Sequence, residues 1–224
     1  MRTIKSILTS LYIVAVALCL SSGTSSAGAI LQAISATANI GDLIGTPNLI
    51  RDQSGLSAGY TSGVTDFATY IGTNPTNNNN VGVWVGDLGS TAAQLTLDLG
   101  GPTVIGSFAL WSRGVAFQGV RDFSLIASAD SSFTTSTALG SFTAAEAVAI
   151  GNDALPQVFS FMATTATFVR FDITSIYGTC CVSISEVAFE QSVLPPVPAP
   201  EPGTLAIMGI GLLGLSLMRR KRSA

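Results

Sequence analysis

Leu95-Thr96-Leu97-Asp98-Leu99-Gly100-Gly101-Pro102 is the stretch on which the fold turns. Its leucines alternate with Thr96 and Asp98, a period of two that lines one face of a half-buried strand. Gly100-Gly101-Pro102 then predicts a break, because glycine and proline punctuate regular structure. Outward from here the same signature recurs. Ser107 to Trp111 sets Phe108 and Leu110 on one face. Phe123, Leu125 and Ala127 form a third strand, ended by Ser128-Ala129-Asp130. Leu139 to Thr143 and Val158 to Met162 are shorter strands. In Thr167 to Thr174, Val169, Phe171 and Ile173 oppose Phe168, Arg170 and Asp172. Val182 and Ile184 share a face, whereas Val187 and Phe189 lie in the other phase, which a bulge near Ser185-Glu186 would reconcile.

The N-terminal part is less regular. Ile30 to Ile40 holds one or two strands, and Asp52 to Thr65 reads as a Gly- and Ser-rich loop. The run from Asn74 to Asn80 reads as a solvated turn before Val81 to Val85. No long stretch has an apolar period of 3.6. Short strands at spacings of about 8–12 residues argue for an antiparallel sandwich. Trp84 and Trp111 sit in strand patterns and are expected in the core.

Composition narrows the function. The chain has 224 residues and no histidine. Between Gly28 and Ala199 there are four Arg, no Lys and twelve Asp and Glu, a net charge of −8. Such a surface repels phosphate backbones, so nucleic acid is not an expected partner. Without His, Ser-His-Asp and Cys-His devices and His-ligated metals are unavailable. Carboxylate pairs for glycoside hydrolysis are the remaining enzymatic alternative. The Asp and Glu residues are scattered at turns and strand edges, and Asp98 and Asp172 are expected to face solvent. The expectation is therefore a non-enzyme.

The two ends differ from the middle. Arg2 and Lys5 precede an apolar run from Ile7 to Leu20, then small residues from Ser21 to Ala29. This is the pattern of a secretory signal peptide, cut by signal peptidase after Ala27, with Ala29 second. Val193 to Ala199 is a Pro-rich, extended linker. After it come Pro200-Glu201-Pro202, an uncharged run from Gly203 to Met218, and Arg219-Arg220-Lys221-Arg222. As a helix, residues 203–218 would span roughly 24 Å, short of a bilayer core of about 30 Å. The four cations would stay cytoplasmic, leaving the main chain outside.

That ordered tail resembles the PEP-CTERM sorting domain of Gram-negative bacteria over Val197 to Arg222. In that family an exosortase, a membrane enzyme, recognises the tail, cleaves near the Pro-Glu-Pro box and passes the protein to the exterior. The resemblance implies that Pro200, Glu201 and Pro202 are recognition residues of a substrate. It also implies export through the inner membrane to the cell surface or beyond, with a transient membrane anchor at residues 203–218.

A second resemblance covers most of Leu49 to Glu190. It is carried in order by Trp84, Leu95 to Gly100, Phe108 to Trp111, Arg121 to Asp130, Phe168 to Phe171 and Ile184 to Phe189. This order resembles the discoidin-like, or galactose-binding-like, β-sandwich. The implied fold is an all-β antiparallel jelly-roll over residues 28–192, flanked by the leader and the sorting helix. The family mostly binds glycans, lipid head groups or proteins through loops at one end, and many members hold a structural calcium ion. The implied calcium positions are Asp52, after Leu49-Ile50, and Glu186, in the last strand. The alternative for Glu186 is a solvent-facing place at the bulge.

A glycan site needs an aromatic face for the sugar ring and planar polar groups for its hydroxyls. Arg113, Phe117 and Arg121 flank one Gly-containing loop, and Tyr177 lies in another. The alternatives are pairing of the arginines with carboxylates such as Asp122, and packing of Phe117 beneath its own loop. Cys19 leaves with the leader. Cys180 and Cys181 remain, with three options: a disulfide between neighbours, an intermolecular bridge or two free thiols. The expected function is adhesion or binding within extracellular polysaccharide. The alternatives are a structural biofilm-matrix protein without a small ligand and a carboxylate-dependent glycosidase-like enzyme.

Overall fold

The computed structural model describes residues 28–78, 80–113, 118–147 and 153–192. The leader, the linker, the Pro200-Glu201-Pro202 box, the apolar run 203–218, Arg219 to Arg222, and Phe117 all lie outside these residues.

The described residues form an all-β sandwich. In chain order its strands are β1 (Ile30–Leu31), β2 (Ser35–Ala38), β3 (Asp42–Ile44), β4 (Asn77–Asn78), β5 (Trp84–Gly86) and β6 (Ala93–Ser112). Then come β7 (Asp122–Ser128), β8 (Ser136–Thr143), β9 (Asp153–Ala154), β10 (Gln157–Ile173) and β11 (Ser183–Gln191). A 3-10 turn (Pro47–Arg51) and a short helix α1 (Phe67–Gly72) complete it. All strand pairs are antiparallel, in the order β3-β5-β11-β6-β10-β7-β8, with β2 on β6, β1 on β11 and β4 on β9.

The pair β4-β9 is a separate two-stranded sheet, and two long strands make the sandwich from the other, nine-stranded one. The first half of β6 pairs with β2 and the last part of β10, whereas its second half pairs with β11 and the start of β10. Between the halves the β6–β10 register shifts, with Ala166 opposite Thr103 and Phe168 opposite Asp98. The chain folds over there. Phe108, in the second half of β6, meets Phe171, in the last part of β10, at a ring separation of 5.1 Å. Phe123 of β7 meets Phe159 of early β10 at 4.9 Å. Rings from opposite layers thus fill one core with Leu95, Leu97, Leu110, Val169, Val187 and Phe189. Edge-to-face pairs such as these add to the stabilisation from buried area alone.

Several expectations change here. Gly100-Gly101-Pro102 does not end a strand; β6 runs through it and bends, with Gly100 at φ +84° and Gly101 at +159°. The two strands expected at 158–162 and 167–174 are one strand, folded at the same corner. The polar run from Asn74 is not simply a solvated turn. Asn77 pairs with Ala154 and is fully buried. Asp98 and Asp172 are half-buried rather than solvent-facing.

Other expectations hold. Leu95, Leu97 and Leu99 are buried, as are Trp84 and Trp111. The bulge stands between Ile184 and Glu186. Beyond it Val187 and Phe189 re-enter the main core, while Ala188 turns to the outer face. There Trp111, Ala109, Ile30, Tyr60, Phe67 and Tyr70 form a second, smaller cluster. This sheet is therefore covered on both faces. The indole N–H groups are satisfied: Trp111 donates to the Pro75 carbonyl at 2.8 Å and Trp84 to Asp42 at 2.6 Å.

The corner at Gly100-Gly101 sets the polarity of the molecule. Ala93, Ser112, Asp122, Ile173 and Ser183 come together at one end, linked by hydrogen bonds such as Val182 N–H to Ser90 O and Arg121 N–H to Ser175 O. Gln191 and Ser192 lie at the other, where Ser192 N–H donates to Val104 O. Along β11 that separation is roughly 26 Å at 3.3 Å per residue.

Candidate functional site

The loop end carries three of the four expected ligand residues. After β6 the chain returns through residues 118–121, which lie beside the segment 174–177. Val120 bridges Ile176, Arg121 N–H donates to Ser175 O, and Tyr177 N–H donates to Gly119 O. This places the Arg121 guanidinium 5.8 Å from the centroid of the Tyr177 ring. The geometry is a cation–π contact, worth about 0.5–1 kcal/mol at an exposed site. The Tyr177 hydroxyl donates to Ala144 O at 2.8 Å, which fixes the ring. Arg113 is half-buried and donates through Nη1 to Gln118 Oε1 at 2.9 Å; burial lowers its pKa from the usual guanidinium value.

The expected alternative, pairing with Asp122, applies to Arg121. Its Nε lies 3.6 Å from Asp122 Oδ2, with both side chains well exposed. Asp122 is held more firmly by hydroxyls. Ser175 Oγ donates at 2.6 Å and Thr143 Oγ1 at 2.7 Å. Those hydrogen bonds, Ser175 first, hold its carboxyl below the usual range. A shallow open depression of about 250 Å³ borders it, lined by Asp122, Ser124, Ser141, Phe142, Thr143 and Thr174. Cys180 and Cys181, in the loop leading to β11, are disulfide-bonded to each other. Cys181 is buried and has φ +62°.

The expected calcium residues also come together. Glu186 does not face solvent; it is fully buried on the outer face of the sheet. The bulge turns it toward the Asp52–Tyr60 loop. Gln53 N–H donates to Glu186 Oε2 at 3.0 Å, with Gln53 itself at φ +64°. The Gln53 side chain locks the loop, accepting from Tyr60 N–H at 2.9 Å and donating to Tyr60 O at 3.1 Å. Asp52 is exposed and accepts from Ser54 N–H at 2.9 Å. Burial pushes the Glu186 carboxyl well above the usual carboxylate range, and the Asp52 charge adds to that.

Three buried oxygens around this loop have no hydrogen-bond partner among the described residues: Glu186 Oε1, Tyr60 Oη and Asn77 Oδ1. Asn77 reaches the same loop through Nδ2, which donates to Ser54 O at 3.4 Å. An orphaned buried carboxylate oxygen is costly unless a proton or a cation compensates it. Calcium takes six to eight oxygens from carboxylates, amides and carbonyls, so the donor chemistry fits. No group of three or more acidic or sulfur ligands occurs among the described residues. Amide and backbone oxygens would therefore complete the set. Sequence reasoning missed Tyr60, Asn77 and Gln118; only the asparagine run marked one of them.

Comparison with known proteins adds two findings. Residues 198–222 match the PEP-CTERM protein-sorting motif. Solved structures share the sandwich. The CBM32-1 and CBM32-2 domains from Clostridium perfringens ZmpB are 14% identical, with 72% of this chain and 36% of that one covered and a TM-score of 0.50. CBM32 of AlyQ in complex with 4,5-unsaturated mannuronic acid is 23% identical over 71% of this chain and 96% of that one, TM-score 0.48. The family 32 CBM from C. perfringens NanJ in complex with galactose is 18% identical over 70% and 97%, TM-score 0.47. No curated protein matches the chain.

Proposed function

We propose that this chain is an exosortase substrate whose middle part, once exported, is a non-catalytic glycan-binding module of the cell surface or extracellular matrix. One observation carries the reading. Ser192, which precedes the sorting motif of residues 198–222 in the chain, lies at one end of the sandwich, while Arg113, Arg121 and Tyr177 occupy the opposite end. A binding end turned away from the tether is what a surface adhesin requires. The CBM32 label of the ZmpB domains, which share the fold, supports carbohydrate as the ligand class. The Arg121 guanidinium beside the Tyr177 ring, with the Ser and Thr hydroxyls around Asp122, suits a sugar's hydroxyls.

Glycan-array binding by the exported protein, with and without calcium, tests this. Binding that falls at least tenfold in Arg121→Ala and Tyr177→Ala is the expected result. No binding in either condition counts against a glycan ligand. A structural calcium ion held by Glu186, with Asp52 and the Asn77 amide beside it, belongs to the same proposal. Its chemistry is neutralisation of a buried carboxylate that locks the Asp52–Tyr60 loop.

A further inference from the structure

We propose that removal of the leader after Ala27 completes an ion pair: the new ammonium of Gly28 docks on Glu190 and ties the first residue of the mature domain to its last strand. The inference rests on the leader reading of residues 1–27 and is independent of any glycan. Water adds across the Ala27–Gly28 peptide bond; Ala27 leaves with the carboxylate, and Gly28 keeps the ammonium.

The receiving site is already built. Gly28 N lies 3.2 Å from Glu190 Oε1. The other carboxylate oxygen is fixed by Ser107, whose buried Oγ donates to Oε2 at 2.6 Å. Glu190 makes no ion pair among the described residues, where the salt bridges are Arg121–Asp122 and Arg170–Asp172. Processing would give this half-buried carboxylate a cation at the nitrogen it already faces.

The folded domain uses the backbone of Gly28 and Ala29, so a cut after Ala27 preserves its contacts. Gly28 O accepts from Phe67 N–H at 2.8 Å, and Ala29 O accepts from Gln191 N–H at 2.8 Å. Gly28 packs so closely on β11 that a Cβ there would overlap the Gln191 carbonyl, so only glycine fits. A cut after Ala29 would discard both of these hydrogen bonds and the Glu190 contact with them. A cut after Ala27 keeps all of them and adds charge to one.

Intact-mass and N-terminal sequencing of the exported protein give the first readout, followed by thermal unfolding before and after amine acetylation. Residues 28–199 contain no Lys, so acetylation of the trimmed protein reads Gly28 alone. The expected results are Gly28 as first residue, and a Tm loss of about 2–4 °C on acetylation that vanishes in Glu190→Gln. An N-terminus at Ile30 overturns the proposal. So does an acetylation shift of zero, or one of equal size in Glu190→Gln. Should that variant fail to fold, the sequencing and the acetylation of the unmutated protein still decide.

Discussion

At the scale of single residues, two carboxylates define how the molecule answers to its surroundings. Asp122 is exposed but tied to Ser175 and Thr143, and its pKa is lowered. A lowered folded pKa contributes stability that is present above the unfolded value, about 3.9, and lost as pH falls through the folded one. Asp122→Asn should unfold more readily than the wild type at pH 7, and the two melting curves should converge as pH drops below about 4. Glu186 is the opposite case, buried with Oε1 unpartnered among the described residues. Calcium should raise Tm in the wild type, by an amount set by its concentration relative to Kd. In Glu186→Gln that increment should disappear, and differential scanning fluorimetry with calcium or a chelator measures it. The position of Glu186 was legible in the sequence as an acidic residue at a phase break. Its burial was not, because that depends on the distant Asp52–Tyr60 loop closing over the sheet.

At the scale of elements, the corner of β6 matters most. Alternation made the strand faces readable, since burial on one side of a sheet follows a period of two. The leucines of β6, the phase of β10 and the bulge of β11 all obey it. The corner was misread as an end because glycine and proline carry the same local signal for a turn and for a bend within a paired strand. Pairing with β10 continues on both sides of the corner, and that long-range contact is what a local reading lacks. Gly100, at φ +84°, also approaches Ile34, whose Cγ2 would lie 3.2 Å from an added Cβ. Gly100→Ala should therefore destabilise by about 1–2 kcal/mol, seen as a lower urea midpoint with an unchanged slope. The helix Phe67–Gly72 was missed for a related reason. Six residues are too short for a periodic signal, and the helix is held by the Asp66 cap on Thr69 N–H and by burial of Phe67 and Tyr70.

At the scale of the whole molecule, the U-shaped path of β6 and β10 gathers Arg113, Arg121, Tyr177 and the Cys180–Cys181 loop at one end and Gly28 and Ser192 at the other. Under the proposed function the first is the binding end and the second the processed end. The sorting motif at 198–222 follows the processed end after a short Pro-rich link. Export with removal of the tail is the central claim, and the most direct test is the intact mass of the protein recovered outside the cell. The account predicts a species lacking Arg219 to Arg222, and retention of the Pro200→Ala, Glu201→Ala, Pro202→Ala triple variant at the membrane with its tail intact. A full-length chain still carrying its arginine-rich terminus, outside the cell or dissolved in the cytosol, would contradict it.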